Sequence, residues 1–564
     1  MILLNPKNEK FDHLDAQSRE IMFKTIAFFE GKGKIRTIED YNARIWYADF
    51  LEFIKENKIF ATLLTPSAYG ENCRWDTRRN CDFNEILGFY GLSYWYTWQV
   101  TILGLGPIWM GNNEAVKQKT ARLLQEGEIF AFGLSEKQHG ADIYASEMSL
   151  VPLGDGKYMA EGGKYYIGNA NKAALVSVFG KNEETEEYVF FVVDSQHKNF
   201  DLVKNTVSSQ NYVAEFALNS YPITDDDILT TGRAAWDSSL NTINVGKYNL
   251  GWASIGICGH AFYEALNHAS ARRLFNHFVT DFPHIKQLFT DAYTRLTAMK
   301  LFALRASDYM RSASPGDRRY LLYNPMVKMK VTTQGEDVIN HLWDVMAAKG
   351  FEKDQYFSVA AVDIRALPKL EGTVHVNMAL IIKFMPNYFF NPGAFPEIPE
   401  RVDPANDDFL FQQGATKGLG GIQFHDYNAA YDSINLPNIA LFKEQIEVFK
   451  RFMLEATPDE EQSKDIDFLL IVGELFTLVV YGQLIIENAR IKNLPDDILD
   501  QIFDVMVRDF SRFALQLYSK TSSTETQMAI FLEMIRKPVV DQARFQRVWE
   551  KFVLSKKNTY EMTP

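Results

Sequence analysis

The spacing of apolar residues changes twice along the chain. Up to about residue 125 the spacing is helical, as in YADFLEFIKENKIFATLL at 47–64. From about Ile129, short runs of β-branched and aromatic residues take over, such as YVFFVVD at 188–194. From about Asn241, long amphipathic segments without internal proline return. This order predicts a mainly α protein with a central β domain.

A chain of 564 residues is too long for one ordinary core, and we predict four domains. They are an N-terminal helical domain at 1–127, a middle β-barrel at 128–240, a four-helix bundle at 241–392 and an additional helical domain at 393–564. The run PGAFPEIPERVDPANDD follows Asn391 and contains four prolines, so it is predicted to be a linker.

Composition excludes several classes of protein. The net charge of −13 argues against general nucleic-acid binding, which needs a basic face to displace counterions. Three scattered cysteines fit neither a disulfide framework nor a zinc site, and they indicate reduced thiols in the cytoplasm. The first residues lack the pattern of a signal peptide. We therefore expect a cytoplasmic protein, either free or peripheral at a membrane.

The apolar run from Phe468 to Ile486 has about the length of a membrane span. It contains Glu474 and Gln483, and a carboxylate near the middle of a lone span is costly. We therefore predict no transmembrane segment here, but a helix buried in a bundle or a subunit interface.

The stretch LPKLEGTVHVN at 367–377 places one acid at a junction. Glu-Gly-Thr fits neither a strand interior nor a helix interior, and such a glutamate taken alone is most often a surface acid. A glutamate in an apolar pocket has a raised pKa and can serve as a general base. Gly372 allows the backbone to turn sharply beside it.

Five motifs in fixed order provide the context for that acid. They are FAFGLSEKQHGAD at 130–142, YMAEGGKYYIGNA at 158–170, ARRLF at 271–275, DVMAAKGF at 344–351 and DIRALPKLEGTVHVN at 363–377. Together they resemble the acyl-CoA dehydrogenase family, over residues 10 to about 390. The resemblance implies a helical domain, a β-barrel and a four-helix bundle, with FAD held between barrel and bundle. The additional helical domain resembles the longer branch of very-long-chain enzymes and acyl-CoA oxidases.

The resemblance also implies roles for individual residues. Glu371 matches the catalytic base that removes the α-proton of an acyl-CoA thioester. Lys247 and Gly372 match substrate contacts, and no metal is implied. The implied FAD contacts are Phe132, Ser135, Tyr166, Ile167, Gly168, Arg272, Phe275 and Thr373.

The chain departs from the family pattern at several positions near the implied flavin. Tyr166 replaces a tryptophan that stacks on the flavin, and Gly168 replaces a hydroxyl residue that binds flavin N5. Ala347 and Ala348 replace paired glycines that approach the dinucleotide, and Asp344 replaces a glutamine.

Three functions are compatible with these motifs. The first is an FAD-dependent acyl-CoA dehydrogenase of fatty-acid β-oxidation, passing electrons to an electron-transfer flavoprotein. The second is an acyl-CoA oxidase that uses oxygen. The third is a non-catalytic relative that binds an acyl chain or a partner. A homodimer is expected, with a tetramer as the alternative. Chain length, and CoA or acyl carrier protein as the carrier, stay open.

Overall fold

The computed structural model describes residues 3–564, which divide into two compact units. The sheet unit comprises Lys10–Asn249, Val402–Lys417 and Met562–Pro564. The helical unit comprises the chain up to Glu9, Leu250–Arg401 and Gly418–Glu561. The predicted N-terminal and β domains thus share one unit, and most of the predicted bundle shares the other with the additional domain. The four-domain boundaries themselves stay a prediction.

The sheet unit begins with seven helices, and an eighth follows its strands. Asp15 and Asn113 cap two of them by accepting backbone N–H groups, as expected for N-cap residues. The helices are α1 (Ala16–Lys32), α2 (Lys34–Asn42), α3 (Ala48–Glu56), α4 (Ile59–Leu64), α5 (Thr77–Tyr90), α6 (Leu92–Met110), α7 (Glu114–Gln125) and α8 (Gly232–Lys247). Helix α6 is buried along nearly its whole length and so lies at the centre of the unit.

Eight strands form one mixed sheet in the same unit. The predicted strand at 188–194 is confirmed as β5. The strands are β1 (Phe130–Gly133), β2 (Ser149–Gly154), β3 (Lys157–Gly168), β4 (Leu175–Asn182), β5 (Tyr188–Val193), β6 (Phe200–Asn205), β7 (Val213–Thr224) and β8 (Ile228–Thr231). One face buries a cluster that includes Leu150, Val178, Phe191 and Phe216.

The predicted β-barrel is not closed in this structure. The strand order is β6-β7-β3-β2-β4-β5-β8, with β1 paired to β4, and the two ends of the described sheet do not pair with each other. The end strand β6 explains the open edge, because Phe200 is its only buried residue and the other five are exposed. A strand without an apolar face gains little from packing into a barrel wall.

The helical unit contains thirteen helices and a short hairpin. The helices are α9 (Asn249–Ala271), α10 (Pro283–Arg311), α11 (Tyr320–Met326), α12 (Thr332–Met346), α13 (Tyr356–Ala366), α14 (Val374–Ile381), α15 (Met385–Phe390), α16 (Asn428–Tyr431), α17 (Pro437–Glu455), α18 (Ile466–Ile491), α19 (Asp496–Tyr518), α20 (Glu525–Met534) and α21 (Gln542–Val548). The hairpin pairs β9 (Arg273–Leu274) with β10 (His277–Phe278).

Helix α10 organises this unit because it packs against α12, α18 and α19. The helix predicted from Asn324 to Ala348 is instead α11 and α12 joined by a π-helical segment, Val327–Val331. The predicted linker has no regular element between Phe390 and Asp408.

Helix α18 contains the long apolar run. Among residues 3–564 it is the single helix long and apolar enough to cross a membrane, and 83% of its apolar window is buried within the protein. This burial agrees with the prediction of a core helix. None of the three cysteines, all within the described part of the chain, forms a disulfide.

Candidate active site

The Glu371 turn connects α13 to α14. Glu371 has φ +52° and Gly372 has φ +86°, so two successive residues adopt the left-handed conformation. Glycine accepts this conformation freely, whereas it costs a glutamate about 1–2 kcal/mol. Thr373 then caps α14 by accepting the N–H of Val376. The strain therefore falls on the predicted base itself.

Two buried side chains hold this turn by its carbonyl groups. Lys328 Nζ donates to the carbonyl oxygen of Pro368 at 2.7 Å and to that of Gly372. Asn377 Nδ2 donates to the carbonyl oxygens of Gly372 and Thr373 at 3.0 and 2.9 Å. The sequence analysis missed both residues. The signal that could have found Lys328 is a lysine within the apolar run NPMVKMKV at 324–331.

In the sheet unit, Ser135 and Tyr166 lie at neighbouring positions. Ser135 Oγ donates to the carbonyl oxygen of Tyr165 at 3.0 Å, and the Tyr165 N–H donates back to the Ser135 carbonyl oxygen at 3.0 Å. A bulge between Tyr165 and Ile167 gives Tyr166 φ +68° and leaves its side chain 44% exposed. Bulges commonly re-aim a side chain in this way. The exposed ring is available for stacking.

The other predicted contacts in this region differ in what they can offer a ligand. Ile167 is buried in the core of the sheet, so only its backbone can reach a ligand. Phe132 is half-buried, and its ring stacks on that of Phe190 at 6.0 Å.

Gly168 has no room for a side chain because α6 fills the space. A Cβ atom at Gly168 would lie 2.7 Å from Cε1 and 2.9 Å from the hydroxyl oxygen of Tyr96, and 2.8 Å from Val100 Cγ1. The phenol of Tyr96 therefore occupies the space that a side chain at position 168 would take. Sequence reasoning could not find Tyr96, which belongs to another element 72 positions earlier.

Lys247 is the buried last residue of α8. The end of this helix is fixed within the sheet unit, because Gln99 Nε2 on α6 donates to the carbonyl oxygen of Gly246 at 3.0 Å. The Lys247 side chain is therefore buried and begins from a fixed backbone position.

Arg272 and Phe275 belong to the β9–β10 hairpin of the helical unit. Both are exposed, and the Phe275 side chain is 88% accessible. Phe275 and Asn276 form the turn with positive φ, and asparagine tolerates this conformation better than most residues. Asn276 can therefore stand where the motif has glycine.

Ala347 adopts a backbone conformation that is typical of glycine. It ends α12 with φ +54° and ψ −143°, a region that is nearly restricted to glycine. Ala347, Ala348 and Asp344 are all exposed. The alanine at position 347 is therefore held in a strained backbone conformation.

Glu136, His139 and Glu147 come close enough to suggest a metal site. Lys164 Nζ, however, lies 2.7 Å from Glu136 Oε1, and Ser146 Oγ donates to the same oxygen at 2.6 Å. Burial alone would raise the pKa of Glu136, but the Lys164 charge outweighs burial and lowers this pKa. The cluster is therefore best described as a buried ion pair.

Comparison with known proteins gives consistent results. The model of the acyl-CoA dehydrogenase C-terminal domain matches residues 235–385. The 3-(aryl)acrylate reductase of Clostridium sporogenes is 23% identical over 287 residues, covering 50% of this chain and 75% of that protein. The caffeyl-CoA reductase-Etf complex subunit CarC of Acetobacterium woodii is 21% identical over 304 residues, covering 53% and 79%.

One solved structure extends the likeness along the chain. The acyl-CoA dehydrogenase from Bacillus anthracis, complexed with FAD, has a TM-score of 0.76 at 14% identity and covers 99% of this chain and 97% of that one. The comparisons thus show an acyl-CoA dehydrogenase C-terminal domain at residues 235–385 and an acyl-CoA dehydrogenase fold that extends along the chain.

Proposed function

We propose that the protein oxidises an acyl-CoA thioester to the 2,3-enoyl-CoA, with Glu371 removing the α-proton. The observation that carries this proposal is the strained Glu371 turn, which Lys328 and Asn377 anchor by its carbonyl groups. Strained backbone persists where the surrounding structure enforces it, and it is common at active sites. A surface acid would need no such support.

The residues present fit FAD. Tyr166 offers an exposed ring, Ser135 lies beside it, and the phenol of Tyr96 fills the space at Gly168. In the helical unit, the exposed hairpin with Arg272 and the glycine-like backbone at Ala347 would be available for the implied dinucleotide contacts. When bound, FAD supplies the acceptor for the β-hydride.

The remaining chemistry falls to the chain's own side chains. Proton removal beside a thioester develops negative charge on the thioester oxygen, and fixed donors lower the cost of that charge. We assign Lys247 to the neighbourhood of this group, since it is a buried cation at a fixed helix end. Gly372 would allow the substrate to approach the backbone of the turn closely.

A second candidate is the reverse reaction, reduction of a 2-enoyl thioester. The names of the relatives from Clostridium sporogenes and Acetobacterium woodii favour it, because both are called reductases. The same base would then return a proton to the α-carbon as an acid. The Etf in the second name also supports an electron-transfer flavoprotein as the redox partner.

We further propose a homodimer in the cytoplasm. The exposed Phe275 supports the homodimer, since contact with a second subunit would remove its accessible phenyl ring from water. Sedimentation of the wild type and of Phe275→Asp tests it, with a shift to monomer expected in the variant.

The decisive experiment is an anaerobic visible spectrum of the purified holoprotein. Bleaching of the flavin by an acyl-CoA is expected for the dehydrogenase direction, and readmission of oxygen separates dehydrogenase from oxidase. Reoxidation of the reduced protein by an enoyl-CoA would instead favour the reductase direction.

Glu371→Gln should keep the flavin and lose bleaching. The matched control is Glu336→Gln, which removes the partially exposed partner of Lys369 and should bleach normally. Absence of flavin after reconstitution would exclude the enzyme proposal.

A further inference from the structure

We propose that Lys328 is a positioning residue, which holds the Glu371 turn in the geometry needed for proton removal. The inference rests on the proposed function, since the position of this turn matters to catalysis only where Glu371 acts as the base.

The first argument is the burial of a charged group beside the turn. Lys328 is fully buried. Taking an ammonium group out of water is costly unless hydrogen bonds replace its hydration. Its two contacts with the turn, the carbonyl oxygens of Pro368 and Gly372, lie on either side of Glu371 along the chain. An apolar side chain of similar length would fill the same space without that cost.

The second argument is the backbone that carries the lysine. Lys328 belongs to the π-helical segment Val327–Val331, between α11 and α12. π-Helical turns are rare, and they are frequent at functional sites because the extra residue re-aims the neighbouring side chains. In this segment two lysines, Lys328 and Lys330, are both buried and have different partners.

The third argument is the contrast between those two lysines. Lys330 Nζ lies 3.4 Å from Glu474 Oε2 on α18, which is an ordinary ion pair between helices. Lys328 instead donates to backbone carbonyl groups of an irregular loop. An ammonium group offers three donors, and two of them suffice to fix the loop from both sides of Glu371.

The fourth argument is that the other side-chain hydrogen bonds to the carbonyl groups of the turn are local. Asn377 and Thr373 belong to α14 or its cap, so they move with the turn. Lys328 is the described side chain that ties the turn's carbonyl groups to a distant part of the chain. Its removal should therefore loosen residues 367–374 while the fold persists. Small displacements of a catalytic group cost on the order of 10²-fold in rate.

The test compares Lys328→Met with Lys330→Met in the full-length holoprotein. Hydrogen exchange of peptides covering 367–374 reports the turn without any need for turnover. We expect faster exchange there in Lys328→Met alone, with kcat lower on the order of 10²-fold and KM and flavin content unchanged. Lys330→Met should leave exchange at 367–374 as in the wild type.

Unchanged exchange and kcat in Lys328→Met would overturn the proposal, as would faster exchange throughout the helical unit in both variants. If Lys328→Met does not fold, Lys328→Gln replaces it, since its amide still donates but reaches less far. An intermediate effect on exchange is then expected, and no effect overturns the proposal. A fully active Glu371→Gln would refute the proposed function and, with it, the catalytic role of Lys328. The exchange result would still show separately whether Lys328 holds the turn.

Discussion

Several residues of the candidate site adopt backbone conformations that their side chains disfavour. Tyr166, Phe275, Ala347 and Glu371 all have positive φ, and each belongs to a different motif. Each such residue costs roughly 1–3 kcal/mol and persists only where its surroundings enforce it. The sequence motifs identified these positions because each motif keeps the family's spacing between its residues. The motifs could not show how each position is supported, since Lys328 and Tyr96 come from distant parts of the chain.

The pairing of Gly168 with Tyr96 makes a prediction at this scale. Gly168→Ala places a Cβ 2.7 Å from the Tyr96 ring, so α6 or β3 must shift. We expect the free energy of unfolding to fall by about 1–3 kcal/mol. The matched control is Gly163→Ala on the same strand, where the new Cβ would lie 3.7 Å from the carbonyl oxygen of Phe216, an ordinary van der Waals contact.

Urea denaturation of both variants and of Gly168→Ala/Tyr96→Ala measures the effect. The double variant should lose less stability than the sum of its single changes, because Tyr96→Ala vacates the space. Equal midpoints for Gly168→Ala and Gly163→Ala would contradict this account.

At the scale of helices and strands, periodicity predicted elements better than their pairing. The strand predicted at 188–194 follows from local composition and was confirmed as β5. Local composition does not predict closure of the sheet, because closure requires the two end strands, which are distant in sequence, to pair with each other. The five exposed residues of β6 show why this sheet stays open. The break between α11 and α12 was also hidden, since both flanks of the π-helical segment are apolar.

The contact between α10 and α19 gives a prediction about pH. Arg295 Nη1 and Nη2 donate to Asp509 at 2.7 and 2.9 Å, and both residues are buried. Burial alone would raise the pKa of Asp509, but the Arg295 charge outweighs it and lowers this pKa to about 2. A depressed folded-state pKa stabilises the protein above the unfolded pKa of about 4. That stabilisation is lost as the pH falls from there through about 2.

Asp509→Asn should therefore cost about 3–5 kcal/mol at pH 7, because it leaves the buried Arg295 charge without its carboxylate. The difference in free energy of unfolding between Asp509→Asn and the wild type should become smaller as the pH falls below about 4. Urea unfolding at several pH values measures both effects. The control is Glu460→Gln, which removes an exposed pair with Lys464 and should change stability by less than about 1 kcal/mol. A pH-independent difference for Asp509→Asn would refute the linkage.

On the scale of the whole molecule, the sequence predicted the order of helical and β regions. It did not predict which of these regions pack together in one compact unit. The additional helical domain was predicted to begin after a linker, as a separate module. In the structure, residues 418–561 belong to the same compact unit as α9–α15. The charges on α10 and α12 gave no sign of this, because a buried arginine and an exposed one look alike in a sequence.

We therefore expect residues 418–564, here called the extension, to be required for folding. Its carboxylates are partners of buried cations in the first half of the helical unit: Asp509 binds Arg295, Glu487 binds Arg305 and Glu474 binds Lys330. A chain ending at Lys417 would leave all three cations without these partners. Removing one partner of a buried ion pair costs about 3–5 kcal/mol, so three such losses are comparable with the roughly 5–15 kcal/mol that stabilises a typical domain.

We thus expect residues 1–417 to be insoluble when expressed alone, and soluble with bound flavin when residues 418–564 are co-expressed as a second chain. Soluble yield and flavin content of the two preparations measure the outcome. The co-expressed pair is the control for the new chain end at Lys417. It has the same chain break, but it still contains the carboxylates that pair with the buried cations. A soluble 1–417 fragment with cooperative unfolding would mean that the extension docks on a unit already folded without it. The buried ion pairs would then be a consequence of docking, not a condition of folding.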